Sequence, residues 1–163
     1  MKSFNVLFDG KQEINYKGKI VTRYFKLDIP GEYTIKFRFI SKASAFNQAI
    51  VLLFNDFVGQ YYLFDKEKNL PNIRFQKENF WIETAPDEIS VKIHLKEGNI
   101  FICNGSDPLG SRQICYTLHM GCAIYIEKIS EKVYRFNCND HENDDDFDDL
   151  VFEMELVEVI LNY

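Results

Sequence analysis

Long apolar runs are missing from this chain. No stretch approaches the ~18 residues that a membrane-spanning helix needs, which excludes a helical membrane protein. The first residues, MKSFNVLFDGKQEINYKG, hold one early Lys but no apolar h-region. No secretory signal is visible there, and a cytoplasmic location is expected. Repeats of fixed period, low-complexity linkers and clean helical periodicity are absent too. With 163 residues and none of the marks of a boundary, the expectation is one domain spanning 1–163.

What is present is a globular composition rich in aromatics. The chain is 46% hydrophobic and 27% charged, enough to bury a real core. Aromatics make up 15%, with 15 Phe and 9 Tyr, and favour strands over helices. Alternation confirms the preference. In GEYTIKFRFI, Tyr33, Ile35, Phe37 and Phe39 fall on one side; Glu32, Thr34, Lys36 and Arg38 fall on the other. Ile89, Val91, Ile93 and Leu95 repeat the pattern, as do Phe152, Met154 and Leu156. Uniform apolar runs at 49–54 and 61–64 read as strands covered on both faces. Turn residues interrupt these runs at short intervals, and Pro30-Gly31 and Glu97-Gly98 read as hairpin turns. A short helix is expected near 41–48. About ten strands are better stored in two packed layers than in one open sheet. The expected fold is all-β, a single antiparallel β-sandwich of jelly-roll-like type.

The charge is unevenly spread. The net value is -6, yet seven acids lie between Asp140 and Asp149. Without those seven, 18 acids face 19 Lys and Arg. The acidity is therefore a property of one loop, which suits a cation or a basic partner. Nucleic acid is not expected, because phosphates would be repelled. Hard cations such as Ca²⁺ take six to eight oxygens from a flexible loop. Asp144, Asp146 and Asp148 have D-x-D-x-D spacing, which aims alternate carboxylates at one point. The loop is not an EF-hand: the sixth position counted from Asp144 is Asp149, where that turn needs Gly, and a strand follows instead of a helix. Solvated acidic runs are common, but Leu150, Val151 and Phe152 tie this one to a hydrophobic strand.

The string D-D-D-F-D-D-L-V-F, Asp144 to Phe152, resembles the D-x-D-F/Y-N/D-D-L-V-F motif near the C-terminus of several bacterial calcium-associated β-sandwich domains. The resemblance implies that carboxylates at a strand entrance hold a structural or ligand-bridging Ca²⁺. Carried over, these are Asp144, Asp146, Asp148 and Asp149.

Other chemistry is thinner. Cys103, Cys115, Cys122 and Cys138 suit two disulfides in a secreted protein, but without a signal the thiol form is the default. His119-x₂-Cys122 and Cys138-x₂-His141 have spacing seen at zinc sites, so Zn²⁺ is a minor alternative; small core cysteines have the same signature. Cys115 and His119 match no nucleophile motif, and no pair of carboxylates stands out among 25 acids. The Asn104-Gly105-Ser106-Asp107 turn lacks the extended glycine pattern of a phosphate loop. No catalysis is expected. Tyr61, Tyr62, Phe80, Trp81, Tyr116 and Tyr125 are candidates for a sugar-stacking platform. Trp81, with its polar tip, leads them, and Asn104 and Asp107 are the accompanying ligand contacts. The expectation is a non-catalytic module with a Ca²⁺ site in loop 140–149, recognising a glycan or a protein. The alternative is an intracellular interaction or inhibitor protein presenting that loop to a basic partner without metal.

Overall fold

The computed structural model describes residues 1–68, 74–110, 117, 120–142 and 144–162. Cys115, Tyr116, His119 and the breakers at 69–71 lie outside them. The described residues form one short helix, α1 (Phe4–Phe8), and eleven strands. The strands are β1 (Glu13–Tyr16), β2 (Lys19–Thr22), β3 (Phe25–Leu27), β4 (Gly31–Ser41), β5 (Asn47–Leu63), β6 (Lys66–Lys68), β7 (Phe75–Trp81), β8 (Glu88–Asp107), β9 (Ala123–Lys128), β10 (Val133–Asn139) and β11 (Leu150–Leu161). Among the described residues no helix is long and apolar enough to cross a membrane.

The fold is all-β, antiparallel and sandwich-like. Its two layers belong to one open sheet, ordered β1-β2-β9-β10-β11-β4-β8-β5-β6, with β3 added on β8 and β7 on β5. The long strands β5 and β8 run through both layers. In one layer, Asn47–Asn55 of β5 lies between β7 and Asn99–Asp107 of β8, whose other edge takes β3. In the second, the remaining halves of β5 and β8 continue through β4 into β11, β10 and β9. The layers face each other where Phe25 packs on Phe136 and where Asn104 reaches β10.

The alternation places the core. Tyr33, Ile35, Phe37, Ile89, Val91, Ile93, Leu95, Phe152 and Met154 are all buried. Ala49 to Phe54 are buried without a break, as a strand covered on both faces requires. The run at 61–64 differs. Tyr61 and Leu63 are buried while Phe64 is 47% exposed, because Phe64 and Asp65 form a two-residue turn at positive φ before β6.

The turns are a correction. Glu97-Gly98 is not a hairpin but the point where β8 bends from one layer into the other. Opposite it, β5 shifts register between Asn55 and Gly59. Gly98 (φ 83°) and Gly59 (φ 150°) sit so close to the partner strand that a Cβ would strike the carbonyls of Asp56 and His94. Pro30-Gly31 joins β3 to β4, which do not pair with each other; Gly31 lies between Leu95 and Leu161. A tight two-residue hairpin forms instead at Lys17-Gly18, both at positive φ, between β1 and β2. The expected helix near 41–48 is absent, since β4 ends at Ser41 and β5 begins at Asn47. The helix that does form is N-capped by Ser3 and buries Phe4 and Phe8 in a satellite cluster with Val21, Ala123 and Phe147.

Candidate metal centre

The acidic loop joins β10 to β11, and both strands deliver it to one end of the sandwich. Phe136 and Cys138 face the core, and Asp140 continues their parity. A carboxylate is thereby carried inward, where it is 1% exposed. Its backbone N–H donates to Asp149 Oδ2 at 2.8 Å, which closes the loop at its base. Asp140 in turn accepts from Ser44 Oγ at 2.7 Å and from the Glu142 N–H at 2.9 Å. The β4–β5 connection clamps the other end: Ala43 and Ser44 donate backbone N–H groups to the carbonyls of Asp148 and Asp149.

Asn139 pins the middle. Its buried side chain is directed into the loop, where Nδ2 lies 3.0–3.4 Å from the carbonyls of Asp140, Glu142 and Asp144. Phe147 adopts φ 53°, an uncommon conformation for a bulky residue, and turns inward onto Phe4 with ring centroids 5.4 Å apart. Its neighbours Asp146 and Asp148 are left facing outward. Asp145 is drawn aside by Tyr16 Oη at 2.9 Å and Lys17 Nζ at 2.6 Å.

The result is two groups of carboxylates that share one member. Asp140, Asp144 and Asp149 bring one oxygen each within 4.8 Å of one another, and so do Asp146, Asp148 and Asp149. Each of the four residues carried over from the motif belongs to a group. Asp144 does not join Asp146 and Asp148 in one, because the Phe147 turn and the Asp140 base divide the run. Asp140 is the member that spacing did not single out. The signal was available, since positions 136, 138 and 140 share the parity of an inward face.

Crowding raises the proton affinity of these acids. Asp149 is pushed up to about 7, chiefly by burial; the N–H of Asp140 opposes this, and the charges of Asp140, Asp146 and Asp144 add to it. Burial and then neighbouring acids also raise Asp144 and Asp146. Asp145 moves the opposite way, held down first by its bond from Lys17 and then by Tyr16. A site that strains its own carboxylates toward protonation is one that a cation would relieve.

The remaining candidates fall elsewhere. Trp81, Asn104 and Asp107 do not form an open ligand surface. Trp81 is 8% exposed at the end of β7 against Ala49, where the strand must cover the β5 core. Asn104 is fully buried and donates to the Asn139 carbonyl at 3.0 Å. Asp107 is buried and accepts the Leu109 N–H. Tyr61 and Phe80 are also core residues. Of the possible zinc ligands, His119 lies outside the described residues. Cys122 and Cys138 are buried, and His141 Nδ1 sits 3.1 Å from Ser106 Oγ with its ring against Phe46. Burial, and then the nearby Cys122 and Cys103, push the Cys138 thiol well above its ordinary range, which opposes thiolate ligation. Among the described residues, neither metal-competent group includes a Cys or His.

No protein-family model, curated protein or solved structure matches this chain.

Proposed function

We propose that this chain is a non-catalytic binding module whose acidic loop is ordered by a divalent cation, with Ca²⁺ the best chemical fit, and which recognises a glycan or a protein. The observation that carries the reading is Asp149, shared by two groups of carboxylates and raised toward protonation. The donors are hard oxygens, which suit Ca²⁺ better than Zn²⁺. The buried amide oxygen of Asn139 has no hydrogen-bond donor and adds one more neutral oxygen beside the loop. Such a cation would act on shape more than on chemistry, fixing the loop between β10 and β11.

The test is thermal melting of chelator-treated protein against added CaCl₂. A ligand that binds only the folded state adds ~2.7 kcal/mol at roughly a hundredfold excess over Kd. For a chain of this length that is a rise of about 5–11 °C. Asp146→Asn combined with Asp148→Asn removes two of the three carboxylates of one group and should blunt the rise. An unmoved melting curve in millimolar calcium rejects the cation.

One observation favours the second reading, an acidic loop offered to a basic partner. Asp145 already accepts an ammonium from Lys17, and Glu142, Asp144, Asp146 and Asp148 are exposed beside it. If calcium has no effect, a lysine-rich peptide becomes the probe of choice.

A further inference from the structure

The outer face of the second layer holds a different feature. Its outward parity on β4, β5, β8 and β11 builds two rows of side chains across the strands. Gln60, His94 and Glu32 are successive register partners in one row; Tyr62, Lys92, Thr34 and Glu158 are successive partners in the next. Together they line a cavity of about 260 Å³. Tyr33 and Ile93 also line it, and since their side chains are buried, their backbone forms its floor. Further along the same face the polar groups neutralise one another: Lys36 pairs with Glu88 at 3.3 Å, and Glu153 takes both Arg38 at 3.2 Å and Arg135 at 3.1 Å. In the cavity they do not. Among the described residues, the outward side chains of these two rows make no hydrogen bond or ion pair, whereas the buried Tyr33 beneath them donates its hydroxyl to the Ile29 carbonyl.

We infer that this cavity is a binding site for a small neutral saccharide. The inference rests on the binding-module reading for its class of activity, but not on the cation. β4 and β8, which run through the middle of the cavity, are paired on both edges there, so no open backbone is offered at its floor to an extended peptide. Two carboxylates flank the site against a single ammonium, which disfavours an anion, and Lys92 at the centre disfavours a metal. What remains is a ligand that both donates and accepts at many points. Vicinal hydroxyls meet the carboxylates of Glu32 and Glu158, the amide of Gln60 and the ammonium of Lys92. The half-buried ring of Tyr62 offers a flat face to the C–H side of a sugar ring. The volume lies just under the ~300 Å³ at which ligand pockets begin, so one or two rings fit and a long chain extends out of the groove. The acidic loop is more than ~20 Å away along β4, at the opposite end of that strand.

The experiment is a titration of ¹⁵N-labelled protein with maltotriose, cellotriose, mannotriose and tri-N-acetylchitotriose, followed by amide chemical shifts. At least one trimer should move the amides of β4, β5 and β8 around the cavity at millimolar concentration. Tyr62→Ala should weaken binding about tenfold or more, and Glu158→Gln should weaken it with little change in melting. Lys36→Ala, in the ion-paired half of the face, should leave the affinity unchanged. Chelator should not alter the shifts, which separates this site from the cation. Silence with all four trimers, shifts mapping elsewhere, or tighter binding of trigalacturonate would each overturn the inference.

Discussion

Asp149 concentrates the opposing forces of the acidic loop on one side chain. It anchors the loop by accepting the Asp140 N–H, and it does so from a buried position among other acids. The linkage has a definite sign. Its pKa of about 7 in the folded protein is above the ~4 of an unfolded carboxylate, so the folded state holds the proton more tightly. The contribution to stability is greatest below pH ~4 and declines as pH rises to about 7 and beyond. Asp149→Asn keeps an oxygen for the Asp140 N–H and removes the charge. Without calcium the variant should melt higher than the parent at pH 8, by an amount on the order of a few kcal/mol, and the difference should vanish near pH 4. With calcium the order should reverse at pH 8, because the variant has lost the carboxylate common to both groups. Melting curves at four pH values with and without calcium decide the matter. A variant less stable than the parent in chelator at pH 8 would show that burial does not strain this carboxylate.

At the scale of elements, the bend in β5 and β8 makes one sheet into two layers, and it depends on two glycines. Gly98→Ala places a Cβ against the Asp56 carbonyl at positive φ, so it meets both a steric and a conformational penalty. Gly18→Ala has the same kind of φ, 82°, but open space around it. Gly18→Ala should cost about 1 kcal/mol in urea denaturation, and Gly98→Ala at least twice that. Equal losses would mean that the bend yields without strain. The comparison also shows why part of the fold was legible in the sequence and part was not. Alternation at Tyr33, Ile35 and Phe37, or at Ile89 to Leu95, depends only on which face is buried, and it placed these residues correctly in the core. A hairpin and a bend within one strand both read locally as alternation, a glycine, then alternation. The partner that separates them, Asp56, is some forty residues away in the chain, about 40 by its numbering. Trp81 was misplaced for a similar reason: a polar tip looks exposed until β7 is laid against β5. The loop's charge was plain from composition, whereas the role of Asp140 required knowing that β10 carries its inward parity one step past the strand end.

At the scale of the whole molecule, the acidic loop links two bodies of apolar contacts. One is the main core between the layers; the other is the satellite cluster of Phe4, Phe8, Val21, Ala123 and Phe147. Phe147 belongs to the loop and to the satellite at once, and Asp145 ties the loop to the β1–β2 hairpin through Tyr16 and Lys17. The exposed Lys17–Asp145 pair contributes little by itself, so the buried Phe147–Phe4 contact is the stronger tie. A cation that orders Asp146 and Asp148 fixes Phe147 between them. Ordering should then spread to α1 and the β1–β2 hairpin before it reaches the main sheet. Hydrogen exchange read by mass spectrometry should show calcium slowing exchange in 140–149 and in 3–22 together. Exchange in β4, β5 and β8, already protected by a fully paired sheet, should change far less. Phe147→Ala should uncouple the two segments, leaving a calcium effect at 140–149 but not at 3–22. Protection confined to the loop in the parent protein would show that the satellite cluster stands without it. Protection rising equally everywhere would mean that calcium acts only on global unfolding.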